Sequence, residues 1–197
     1  MVFALVEEQM DPFARMQLID LAQTLARMPE LTVDVEQASY FDDADGGKIG
    51  ISLFWSSVDK EERWIGEKSD VYLRAAGSAR HSDARSIQQY LDKTKGGKLP
   101  RFSKQLLAIG EDMRLERLIT EERPGMRRAF EFRERYLGRM MADRAKQSVD
   151  RQDWCGLLLG FVYFYLRGER AAEQQRELKQ WLAGAGDAAG RMDEREL

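Results

Sequence analysis

The sequence predicts an α+β fold that is predominantly helical, with a short β-hairpin packed on a helical layer. Two patterns carry this prediction. Apolar residues recur at helical spacing through most of the chain, in stretches bounded by proline, glycine and capping residues. One region departs from that period: Leu31, Val33 and Val35 alternate with Thr32, Asp34 and Glu36, and Lys48 to Trp55 reads as the returning strand. Asp42 to Gly47, DDADGG, supplies the turn chemistry between them. Two strands are marginal in water by themselves, so helices are expected to cover one face.

The first helix is expected to open at Asp11-Pro12, an N-cap followed by proline at the first helical position, and to run to about Met28 before Pro29. Its apolar line is Phe13, Met16, Ile19, Ala22 and Leu25. Ser56 to Ile65 reads as a charged surface loop in which Trp64 is an anchor. Gly66 to Ser82 reads as a helix with a small-residue middle, Ala75 to Ala79. Another helix follows from Asp83 to about Lys95 and closes at Gly96-Gly97. Pro100 opens the next helix, which Pro124-Gly125 ends, and Met126 to about Lys146 forms a third long one. Asp153 caps a helix over Trp154 to Leu166 that is apolar on all sides, so this chain is expected to bury it or to use it as an interface. A final amphipathic helix is expected over Glu169–Leu182. The organisation is therefore one domain over 1–183, with 184–197 as a flexible linker and charged tail.

The helix from Phe102 to Pro124 carries the most information. Phe102, Leu106, Ile109 and Met113 form one apolar line, extended by Glu116. Leu107, Leu115 and Leu118 form another, which contains Glu111. A helix with two apolar lines is expected to lie between layers. Its carboxylates then need a cation, a metal or hydrogen-bond donors.

Composition excludes several functions. With 31 basic against 34 acidic residues the net charge is -3, so nothing global favours nucleic acid. Glu131, Glu134 and Asp143 interrupt the basic face of the Met126–Lys146 helix, which leaves an RNA contact there as a lesser alternative. The single cysteine, Cys155, forbids an internal disulfide and sits in an apolar run where a thiol is inert. No stretch resembles a secretory signal, and the longest apolar run falls short of the roughly 20 residues a bilayer span needs. A cytoplasmic protein is expected. No phosphate-binding glycine loop and no nucleophile elbow are present. Helical zinc sites of the H-E-x-x-H type need two histidines, and this chain has only His81. His81 is followed by Ser82 and, four residues on, by Arg85; the carboxylates Glu111, Asp112 and Glu116 come about one helix later.

Ser39-Tyr40-Phe41-Asp42, Phe54-Trp55, Lys68 to Gly77 (KSDVYLRAAG), Glu111 to Glu116 (EDMRLE) and Glu122 to Gly125 carry a family resemblance over roughly residues 10–130. They resemble the N-terminal region of bacterial von Willebrand factor A domain proteins that work with MoxR-type AAA+ ATPases. The nitric-oxide-reductase activation protein and the T subunit of cobalt chelatase are of this type. The resemblance implies a degenerate zinc-peptidase-like fold. Where some members of the wider group keep H-E-x-x-H, this chain has His81-Ser82-Asp83-Ala84-Arg85, with serine in place of the general base and arginine in place of the second ligand. It also implies a von Willebrand domain after the Ala183–Gly190 linker, so these residues are expected to be the N-terminal region of a longer protein. The adhesion motif of that domain, D-x-S-x-S, occurs nowhere in the sequence.

Together these readings lead to a non-enzymatic adaptor that docks a MoxR-type AAA+ ATPase onto a metalloenzyme or another client, for activation or cofactor insertion. No cofactor, membrane contact or bound metal is expected. The degenerate site comprises His81, Arg85, Glu111, Asp112 and Glu116. An arginine, Arg85 first and Arg74 second, is expected to pair with Glu111 or Glu116 in place of the ion. A metal-dependent hydrolase with a non-standard ligand set is the other alternative.

Overall fold

The computed structural model describes residues 11–43, 46–180 and 183. The fold is α+β and mostly helical, with one small sheet. The described elements are α1 (Pro12–Ala26), β1 (Thr32–Glu36), β2 (Tyr40–Asp42), β3 (Lys48–Ser52), α2 (Lys60–Val71), α3 (Ala79–His81), α4 (Ala84–Lys95), α5 (Pro100–Glu122), α6 (Arg127–Asp150) and α7 (Trp154–Arg167). Residues 172–180 are also helical. The linker and tail expected at 184–197 lie outside the described residues. Where the sequence reads as one domain, the backbone clusters into two compact units. One takes in the chain up to Ala84 together with Arg114–Arg133, the other Arg85–Met113 together with the chain from Glu134 onward.

In the first unit, α1 begins at Pro12 as the sequence predicts and ends two residues early at Ala26, where Arg27 takes a left-handed conformation (φ 60°). Its buried line is Leu18, Ala22 and Leu25, whereas Phe13 and Met16 are exposed. The hairpin expected between Leu31–Glu36 and Lys48–Trp55 is not formed. β1 and β3 are parallel neighbours, with Val33 beside Ile49 and Val35 beside Ile51. The antiparallel partner of β3 is β2, which pairs Phe41 with Ile49 and Asp42 with Lys48. The strand that precedes the Asp42–Gly47 stretch and pairs back with β3 is therefore Tyr40–Asp42; residues 44 and 45 lie outside the described residues. Alternation specifies which side chains share a face and leaves the partner and direction of a strand open. In the central strand Ile49, Gly50 and Ile51 are all buried, as a strand covered on both faces requires. Gly50 is needed because a Cβ there would lie 2.4 Å from the Tyr40 ring. Lys48, at the start of β3, contacts Glu36 (2.7 Å) and Asp34 (3.6 Å) of β1, and Asp34 also pairs with Arg15. The hydrogen bond that the Lys48 ammonium donates to Glu36 holds its pKa well above the usual lysine range.

The returning strand stops at Ser52, and Leu53–Ser57 forms a 3₁₀ turn. The loop expected at Ser56–Ile65 is instead this turn followed by α2, whose N-cap Asp59 accepts from the Glu62 amide at 3.2 Å. The helix expected over Gly66–Ser82 is continuous in path but not in winding. α2 passes into a π-helical segment, Tyr72–Ser78, before α3, and the Ala79 amide bonds back to the Arg74 carbonyl. Small residues permit this. A Cβ on Gly77 would sit 2.9 Å from Ile119 Cδ1, so the π segment approaches the end of α5 at backbone distance.

In the second unit, Met141, Ala145, Leu157, Leu159, Tyr163, Phe164, Ala171 and Leu178 form the core. α7 starts where the sequence places it, with Asp153 accepting from the Gly156 amide at 3.0 Å. Gly160 lies against Ala145, where a Cβ would come within 2.9 Å, so α6 and α7 pack closely. The Gln175 amide donates to the carbonyls of Phe164 (2.8 Å) and Gly168 (3.0 Å), fastening residues 172–180 to the end of α7. The expectation that this chain itself buries α7 is met on one side of the helix only. Leu157, Leu159, Tyr163 and Phe164 are buried, while Trp154, Leu158, Tyr165 and Leu166 are exposed.

α5 is corrected in the same way. Only Leu115, Glu116 and Ile119 are buried. What the helix packs against changes along its length rather than around its circumference. Phe102, Leu106, Ile109 and Met113 pack partly buried on the core of the second unit, whereas Leu115 and Ile119 belong to the core of the first. Among the described residues no helix is long and apolar enough to cross a membrane.

The closest fit in the first core is at Gly66, where a Cβ would come 2.2 Å from the Trp55 ring. Gly66→Ala is expected to destabilise the chain by about 1–3 kcal/mol, the range for overpacking. Urea melts followed by tryptophan emission measure this, and an unchanged midpoint would contradict the packing described.

Candidate functional site

A charged cluster lies inside the first unit, centred on Asp70. Its side chain is fully buried, as is that of Trp55, and both belong to the core. A buried carboxylate demands donors, and three converge here. Asp70 Oδ2 accepts from the Ser52 amide (2.9 Å) and from the Trp55 indole Nε1 (2.8 Å). Asp70 Oδ1 accepts from the Arg133 guanidinium. Arg133 is itself buried, with its Nε 3.6 Å from Glu116 Oε1 and its guanidinium carbon 6.0 Å from the centre of the Trp55 ring.

Each partner comes from a different element. Ser52 ends β3, Trp55 sits in the 3₁₀ turn, Asp70 lies in α2, Glu116 in α5 and Arg133 in α6. The cluster therefore joins five elements of one unit, three of them through direct hydrogen bonds to the Asp70 carboxylate. Beside it, the buried Glu67 accepts from Arg63 Nε one turn earlier at 2.8 Å. Burial pushes the Glu67 carboxyl up from the usual glutamate range; the Arg63 hydrogen bond and charge act against this, and the Asp70 charge adds to it. Arg74, in the π segment, donates to Ser39 (2.9 Å) and Ser78 (3.2 Å).

The expected degenerate site divides between the two units. His81, Arg74 and Glu116 belong to the first, and Arg85, Glu111 and Asp112 to the second. His81 ends α3, with Nε2 3.1 Å from Glu122 Oε1 and its carbonyl accepting from Arg114 at 2.9 Å. Arg85 is exposed at the start of α4, and Glu111 and Asp112 are half-buried on α5. Glu116 is buried as the sequence requires, and an arginine that the sequence reading passed over, Arg133, faces it. Among the described residues no group of three His, Cys, Asp or Glu side chains is placed to hold a metal ion.

Asp70, Trp55, Glu67 and Arg133 were not singled out as site residues in the sequence. One signal pointed to Asp70. Gly66, Asp70, Leu73 and Gly77 recur at helical spacing, which puts a carboxylate on the face with the small, closely packed residues. Chemically the cluster orients and fastens. The three donors on Asp70 occupy both of its oxygens and hold the carboxylate in place.

Asp70→Ala is expected to cost about 3–5 kcal/mol, because it leaves the Arg133 charge without this partner. Adding Arg133→Met should then cost far less than Arg133→Met does in the parent chain. A double-mutant cycle in denaturant measures the coupling, and additivity within about 0.5 kcal/mol would show that the pair is not a unit. Glu67 gives a pH signature. A carboxyl whose pKa is raised on folding holds its proton more tightly in the folded chain, so its contribution favours folding at acid pH. That contribution is lost as pH rises from about 4.3 through the folded value. The stability of the parent relative to Glu67→Gln should fall as pH increases across this window; a rise would mean that Arg63 outweighs burial.

No family model and no solved structure matches the chain. It is similar to an uncharacterized protein of Bacillus subtilis (strain 168), YojO, with 30% identity over 175 residues. The match covers 88% of this chain and 27% of that protein, so the chain spans about a quarter of the length of the curated relative it matches.

Proposed function

We propose that this chain is a non-enzymatic adaptor module, of the kind found in the nitric-oxide-reductase activation protein and the cobalt chelatase T subunit, that docks a MoxR-type AAA+ ATPase onto a client protein. The observation that carries the reading is the Asp70–Arg133–Glu116 cluster. Three buried charges of the first unit, Asp70, Arg133 and Glu116, are directed at one another and at Trp55, an arrangement suited to holding a shape rather than to turning over a substrate. The sequence adds support through Ser82 and Arg85, which stand where a helical zinc peptidase has its base and second ligand. In the Bacillus relative the matched segment makes up 27% of a much longer chain, which suits a module that works beside other domains. The proposal retains arginine pairing for Glu111, with Arg85 first as its partner; Glu116 faces Arg133. Its setting is the cytoplasm, where MoxR-type ATPases have their nucleotide.

The test is direct binding of the purified chain to a MoxR-type ATPase, read by calorimetry with ADP and with a non-hydrolysable ATP analogue. Saturable binding that differs between the nucleotides is expected, together with substoichiometric metal in the purified chain. Absence of binding in both nucleotide states would overturn the docking role. Metal-dependent peptidase turnover abolished by Glu111→Gln would overturn the non-enzymatic one.

A further inference from the structure

We propose that two copies of this chain pair through α7, related by a two-fold axis, each covering the other's exposed apolar stripe. α7 has two apolar faces. One is spent on the core of its own unit through Leu157, Leu159, Tyr163 and Phe164. The opposite face carries Trp154, Leu158 and Tyr165 at 56%, 48% and 68% exposure. Phe161 lies between them, half-buried, its ring stacked on that of Tyr165 with centres 6.3 Å apart. At about 100° per residue these four positions fall within roughly 60° of the helix circumference. That is the narrow seam of a helix that meets another helix.

Three features select a second copy as the occupant. From Trp154 to Leu166 there is no charged residue, so the seam offers nothing to an ionic partner and matches a surface as apolar as itself. The seam is also its own reverse. Its spacings are four, three and four residues, so an antiparallel copy sets Trp154 against Tyr165, Leu158 against Phe161, and the same two pairs again across the axis. Both ends then pair one aromatic ring with another, with the indole N–H and the phenol O–H free to reach the wet rim. Such self-complementarity is what a two-fold interface requires. The third feature is area. Large aromatic side chains bury about 150–250 Å² each, so the exposed parts of Trp154, Leu158 and Tyr165 amount to roughly 400 Å² per copy. Two copies reach about 800 Å² in total, below the standard size of a stable interface, and this points to a weak, reversible dimer.

The inference is independent of the adaptor reading, since it concerns only this chain with itself. Sedimentation of the parent chain over a hundredfold concentration range should show a monomer–dimer equilibrium. Leu158→Glu and, separately, Tyr165→Glu should each weaken dimerisation at least tenfold; both sites are exposed, so far-ultraviolet circular dichroism should stay unchanged. Direction is tested by disulfide trapping in a C155S background. W154C mixed with Y165C should give a mixed disulfide, whereas neither should link readily to itself, because like positions lie about 16 Å apart in the antiparallel pair. A monomer at all concentrations would overturn the proposal. So would a dimer indifferent to both glutamates, or one in which W154C links to itself.

Discussion

A carboxylate at the centre of an apolar core constrains everything around it. Asp70 is fully buried, and an unpaired charge there would cost several kcal/mol even after relaxation. Its three donors must arrive together: the amide at the end of β3, the indole of the following turn, and a guanidinium from α6 more than sixty residues along the chain. The ion pair adds little net stability over well-packed apolar groups, but it penalises every arrangement in which one partner is missing. The geometry of the first unit follows from that penalty. β3 must stop at Ser52, the chain must turn so that Trp55 points inward, and α6 must begin close enough for Arg133 to reach.

The winding of the chain after Asp70 shows how tightly the helix is held at both ends. Gly66 lies under the Trp55 ring and Gly77 against Ile119, each at a distance that leaves no room for a methyl group. An extra residue per turn between them, in the π segment, shifts the helical phase. Asp70, on one side of this shift, faces Arg133, and Arg74, within it, reaches Ser39 and Ser78. π turns are rare because their hydrogen bonds are poorer, and they persist where neighbouring contacts fix both flanks. Here the flanks are fixed by two glycine contacts and one buried charge.

The second unit is organised by close packing instead. Gly160 brings α7 against Ala145 of α6, and the Gln175 side chain takes up two carbonyls that the end of α7 leaves open. α7 is consequently apolar for two reasons, of which the core explains one. Its inward face fills the core, and its outward face is a regular seam of large side chains that the described residues leave exposed. Exposed aromatic residues in register along one helix are costly in water and mark a surface used for association.

The sequence by itself determined the mostly helical α+β class, the positions of nearly all the helices and the residues that start them, because Pro12, Asp153 and the glycine and proline breaks act locally. It also located Glu116 as a buried carboxylate, since its place on an apolar line is a property of one helix. Only the tertiary structure decided what crosses between elements. Period-two alternation assigned Val33 and Ile49 to strands but could not say that those strands run parallel with Tyr40–Asp42 outside them. Helical periodicity drew two stripes on α5 but could not say that the N-terminal part of the helix packs on one core and Leu115, Glu116 and Ile119 are buried in another. It marked α7 as apolar all round without showing that half of that surface faces outward. Asp70 and Arg133 stand 63 positions apart, so no local pattern could join them; a buried charge is a fact about neighbours in space, and only the folded chain supplies those neighbours.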